Sequence, residues 1–193
     1  ADIHIALFNF DLAIEQLQRA ATELTQFNEQ EHYKVIDQLA FAYEKSGNRP
    51  KAIELYQSIK NDVRSYESDD GYAYVLIKLA ELYTEQNQLN AAKSYLTAVD
   101  KLKIDSSWIT VLLTMTQAQW HLKSNNLNAA LTLFNKLQTE QNSWSVSFKE
   151  RYFNFASLLA EVTNDSSLHI DAQQQLITII KQKQKDIANN ALI

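Results

Sequence analysis

Apolar and polar positions follow a helical rhythm along the whole chain, and the rhythm itself repeats. Leu79, Ala80, Tyr83, Ala92, Leu96 and Val99 form one apolar series across two helices, broken at Gln86-Asn87-Gln88. The same series occurs at Leu39, Ala40, Tyr43, Ala52, Tyr56 and Ile59, broken at Gly47-Asn48, and more loosely at Ala118, Ala130, Phe134 and Leu137. Ala13, Ala52, Ala92 and Ala130 lie 39, 40 and 38 residues apart. A fixed period of this size predicts a solenoid, in which each unit buries its face only against its neighbours.

In chain order, residues 1–8 read as the tail of a helix, followed by a turn at Asn9-Phe10-Asp11. Leu12, Ala13, Leu17, Ala20 and Leu24 keep the three-four spacing of a one-faced helix, which Phe27-Asn28 closes. Tyr33 to Tyr43 makes the next, stopped at Ser46-Gly47-Asn48, where Gly47 can turn left-handed. Pro50 suits the first turn of the helix that follows, since its missing N–H needs no partner there. Ser68-Asp69-Asp70-Gly71 is the strongest turn signal, and helices are expected at about 72–86 and 89–102. Ser106-Ser107 can cap a helix holding Trp108 to Leu122; Leu127 to Leu137 is its partner. Phe148 to Val162 and Ile170 to Ile187 form a last pair, with either Phe155-Ala156 or Leu159-Ala160 in the Leu-Ala place. The expectation is an all-α chain, residues 1–193 forming one domain of about five helical hairpins with the first truncated.

Composition sharpens this. Two glycines and one proline among 193 residues are far below the usual ~7% and ~5%, too few for the turns of a β-rich fold. The absence of cysteine excludes disulfides, thiol nucleophiles and cysteine metal sites. A formal charge of −5 argues against nucleic acid, which a basic stripe would attract. No apolar run approaches the roughly 18 residues of a membrane span, and no basic, greasy signal segment opens the chain. Cytosol is favoured over periplasm. Ala1 runs straight into Ile3, Ile5, Leu7 and Phe8 with no initiator Met, which reads as a fragment of a longer protein.

Candidate chemistry is sparse. His4, His32, His121 and His169 are scattered, and no metal-protease, phosphate-loop or nucleophile-elbow motif occurs. His121 stands where other repeats carry Tyr43 and Tyr83, so packing is its expected role. Asp69-Asp70-Gly71 lacks the later ligands of a calcium loop and reads as a helix cap. Lys181, Lys183 and Lys185 read as a solvated face. No catalytic residue, metal or cofactor is expected.

The order Leu-Ala-x-x-Tyr, a polar turn, then Ala-x-x-x-aromatic-x-x-apolar resembles the tetratricopeptide repeat (TPR), over nearly the whole chain. Leu39/Ala40/Tyr43/Gly47/Ala52/Tyr56/Ile59 and Leu79/Ala80/Tyr83/Asn87/Ala92/Leu96/Val99 fill its places; Gln117/Ala118/His121/Asn125/Ala130/Phe134/Leu137 do so loosely. The period near 40 exceeds the family's about 34, which implies longer helices, as in TPR-like arrays of bacterial regulators. The resemblance implies a right-handed superhelix of antiparallel helix pairs whose first helices line a concave groove. That groove would present Lys34, Asp37, Gln38, Phe41 and Lys45, then Tyr74, Ile77, Lys78, Glu81 and Glu85, then Leu112, Met115, Thr116, Gln119 and Lys123. The family's carboxylate clamp is not reproduced, since Gln38, Thr116, Tyr74 and Leu112 depart from it. The expected partner is a protein or peptide, read by Phe41, Tyr74, Ile77 and Met115 with Lys34, Gln38, Lys78 and Gln119 beside them; the competing role for the aromatics is packing between hairpins. The function implied is a non-catalytic binding scaffold; the alternative is the sensory half of a bacterial regulator whose effector domain lies upstream. Oligomeric state is left open.

Overall fold

The computed structural model describes residues 9–24, 29–140 and 143–190. The expected helix tail at 1–8, the closure at Phe27-Asn28 and the apolar end Ala191-Leu192-Ile193 lie outside these residues. Within them the chain is helical, with no strand: α1 (Phe10–Leu24), α2 (Glu29–Lys45), α3 (Arg49–Tyr66), α4 (Asp69–Glu85), α5 (Leu89–Val99), α6 (Ser107–Lys123), α7 (Leu127–Gln138), α8 (Val146–Thr163) and α9 (Ser166–Asn190). Contacts divide the chain into two compact units, Ala1–Leu113 and Thr114–Ile193, the division falling inside α6.

One turn recurs between helices. Gly47 (φ 87°), Asn87 (φ 60°), Asn125 (φ 59°) and Asn164 (φ 56°) all take the left-handed conformation. After each, the next N–H reaches back to a carbonyl five residues earlier: Asn48 to Tyr43, Gln88 to Tyr83, Asn126 to His121 and Asp165 to Ala160, at 2.8–2.9 Å. This double-bonded end satisfies carbonyls that a helix terminus leaves orphaned, and glycine and asparagine are the residues that tolerate its backbone. The next helix opens on a side-chain cap in three cases: Asn48 accepts from Lys51 N, Asn126 from Ala129 N and Asp165 from Leu168 N.

In the first unit α1 packs on α2, α2 on α3, α3 on α4 and α4 on α5. Ala13, Ala40, Ala52, Ala80 and Ala92 expose nothing; a larger side chain there would hold the helices apart. Tyr56, Ile59, Leu79 and Leu82 fill the space between them. In the second unit α8 packs on α9. Phe134 of α7 stacks on Tyr152 at 5.0 Å and meets the edge of Phe155.

Three local expectations are adjusted. Asn9 is a cap rather than part of a turn: its Oδ1 accepts from Leu12 N at 3.3 Å and α1 begins at Phe10. The helix expected to reach 102 ends at Val99, because the segment after it is held by α4. Asp69 Oδ2 accepts from Lys103 N at 3.0 Å, and Asp70 Oδ1 accepts from Asp105 N and Ser106 N at 3.1 and 3.3 Å. The last pair follows a register one residue from the Phe155-Ala156 alternative and three from Leu159-Ala160. Counted back from the left-handed Asn164, Ala156 and Ser157 occupy the Leu-Ala place, and His169 falls where Ala52, Ala92 and Ala130 stand. The small-residue contact of earlier hairpins becomes polar there: the Ser157 hydroxyl lies 3.4 Å from His169 Nδ1 and accepts from Gln173 Nε2 at 2.9 Å.

Candidate functional site

The first helices of the repeats carry the expected groove positions, and their surroundings differ sharply. On α2, Lys34 is exposed and paired with Glu31 at 3.3 Å. Gln38, one turn on, is exposed, and Phe41 is half-buried with the Lys45 ammonium 5.1 Å from its ring centre. On α4, Tyr74 is half-buried, its ring 5.8 Å from Trp108, which is 49% exposed. Ile77 and Lys78 expose 0% and 3% of their surfaces. In the second unit Met115 is buried and Gln119 half-buried. A side chain with no exposed surface meets a ligand only if the fold opens. The accessible members of the expected set are therefore Lys34, Gln38, Phe41 and Tyr74 in the first unit and Gln119 in the second.

Burial of Lys78 has a chemical cause. Its ammonium sits 2.6 Å from Glu44 of α2 and 2.9 Å from Glu81 of α4, both largely buried. A buried charge survives only when it is paired and hydrogen-bonded, and this ammonium has two carboxylates. Beside them lie Asp37 of α2, Tyr74 of α4 and the fully buried Tyr56 of α3. Asp37 Oδ1 and the Tyr56 hydroxyl are buried without a well-aligned hydrogen bond.

Electrostatics follow from that crowding. Burial pushes the Asp37 carboxyl up to about 6; Lys78 opposes the shift and Glu44 adds to it. Burial likewise raises Tyr74 to about 12 and Tyr56 well above the usual phenol range. His121, its ring edge-on to Trp120 at 4.9 Å, is lowered by burial, and its Nδ1 makes no hydrogen bond.

The sequence reading placed Asp37, Lys78 and Glu81 along a ligand face and did not single out Glu44. Spacing held a signal: Asp37 and Glu44 lie seven residues apart and Lys78 and Glu81 three apart, on one face of each helix. Tyr56 carried none, because its hydroxyl joins this cluster only once α3 is folded beneath α2 and α4. Asp69-Asp70-Gly71 is a helix start, as expected: Ser68 accepts from Gly71 N, and Asp69 also pairs with Arg64 at 2.6 Å. Among the described residues no three His, Cys, Asp or Glu converge as metal ligands, and no helix is long and apolar enough to cross a membrane.

No family model and no curated protein matches the chain. Solved structures do. Crystal structures of a candidate kinesin light chain from Podosopora anserina with nearly identical TPR-like repeats, and of a single-substitution variant of it, are similar to this chain with TM-scores of 0.59 and 0.60. The identity is 13% in each case, over 94% of this chain and 92% of theirs. Likeness at that identity establishes the fold, which is an all-α, TPR-like solenoid of helix pairs.

Proposed function

From that fold we propose a non-catalytic scaffold that binds a protein or an extended or helical peptide on the first-helix face of its repeats. The observation that carries the reading is the accessible strip Lys34, Gln38 and Phe41 on α2, with the half-buried Tyr74 and exposed Trp108 in the same unit. Aromatic rings with a polar margin are the composition of binding hot spots. Ile77 and Lys78 then act from beneath, by fixing the shape of the helices that carry the strip. Three ion pairs of the first unit, Arg49–Glu85, Arg64–Asp69 and Lys78–Glu44, join one helix to another and support the shape of this face.

The test compares the wild-type chain with a Gln38→Glu/Phe41→Ala double variant in quantitative affinity capture followed by titration of the captured partner. The expected result is at least a tenfold weaker dissociation constant with an unchanged helical signal. A partner held equally well by both proteins overturns the placement of the site.

A further inference from the structure

The cluster between α2, α3 and α4 leaves Asp37 Oδ1 buried outside any hydrogen bond or ion pair. Asp37, Glu44 and Glu81 share it with the Lys78 ammonium, and Glu44 also meets the Lys45 ammonium at 3.4 Å. Glu44 and Glu81 hold the Lys78 ammonium at 2.6 and 2.9 Å. The other groups acting there are phenols, Tyr56 from α3 and Tyr74 from α4, which stay neutral. A buried carboxylate oxygen with neither a donor nor an ion pair has one remedy within reach, a proton.

We propose that Asp37 is a proton-operated joint between α2 and α4: ionised, it sets the acidic faces of the two helices against each other, and protonated, it lets them close. In the protonated form Asp37 gains a donor in a pocket that contains the Tyr56 and Tyr74 hydroxyls, and one negative charge leaves the interior. In the ionised form it competes with Glu44 and Glu81 for Lys78. Its carboxyl titrates near pH 6, so the joint works across the range separating acidified from neutral compartments. Lys34, Gln38 and Phe41 ride on α2 and Tyr74 on α4, so the joint sets the spacing of the accessible strip. The inference does not depend on which partner, if any, uses that strip.

Two measurements on the full chain test it. Carbon-13 NMR of the side-chain carboxyls reads the Asp37 titration directly, and a midpoint near 6 is expected. A midpoint at or below 4 overturns the proposal. Hydrogen exchange of the α2 and α4 amides, corrected for the intrinsic pH dependence, is expected to be several-fold faster at pH 7.5 than at pH 5. Asp37→Asn should abolish that difference, and Asp62→Asn, at an exposed position of α3, should retain it. Equal pH responses in wild type and Asp37→Asn overturn the joint even if the titration midpoint is high.

Discussion

The Gln57 side-chain amide donates a 2.6 Å hydrogen bond to the Tyr83 hydroxyl, and one repeat earlier Gln18 makes the same bond to Tyr43 at 2.8 Å. Each joins the second helix of one hairpin to the first helix of the next. Both bonds are close to solvent, so their net worth is modest. Tyr83→Phe and Tyr43→Phe should each cost about 0.5–1.5 kcal/mol in urea unfolding. The double variant should lose the sum, because the two bonds share no partner.

The buried alanines set a second expectation. Ala52→Leu and Ala92→Leu place three extra carbons where no surface is exposed, and each should cost about 1–3 kcal/mol. Ala91 is half-buried, one residue round the same helix, and Ala91→Leu should cost less. Equal urea midpoints for the three variants would contradict the assigned register.

Lys78 should be among the most sensitive positions of the first unit. Lys78→Met strands Glu44 and Glu81 without their shared cation, and removing one partner of a buried pair costs about 3–5 kcal/mol. Adding Glu44→Gln and Glu81→Gln to that variant should recover most of the loss. Thermal unfolding of the single and triple variants at one pH separates the charge effect from lost packing.

Stability should also run against the common direction for a carboxylate. Asp37 holds its proton more tightly folded than unfolded, so its contribution is complete below pH 4 and disappears as pH rises through about 6. The folded state should lose up to about 3 kcal/mol over that interval relative to Asp37→Asn. Urea midpoints of the two proteins at pH 4, 5, 6 and 7 check the sign: the curves should diverge upward in pH with the variant the more stable.

The repeat was legible because it rests on local chemistry. Alanines at a near-constant interval, and Gly or Asn at each break, mark close helix contacts and left-handed turns that few other residues permit. The last hairpin was misjudged, by one residue in one alternative and three in the other, because His169 and Gln173 replace the small and aromatic markers, leaving only Asn164 to set the register. The groove was less legible for a different reason. Helical spacing names the face a residue occupies, and it put Lys78 beside Ile77 and Tyr74. It does not report that Glu44, from another helix, arrives within 2.6 Å and takes the ammonium out of solvent. Long-range pairing of charges is decided by tertiary approach, which no single helix encodes.

The bonds from Asp69 and Asp70 to the backbone of residues 103–106 have a mechanical consequence. They close the chain on itself around α4 and α5, so this hairpin is clasped at its base as well as packed along its length. A pull applied to the two termini would load the clasp before it could unzip the helices inside. When the clasp gave way, the roughly 35 residues within it would be released together, lengthening the chain by up to about 120 Å less the folded span. In a stretched chain this hairpin would act as a catch, giving way in one step once its three backbone bonds broke.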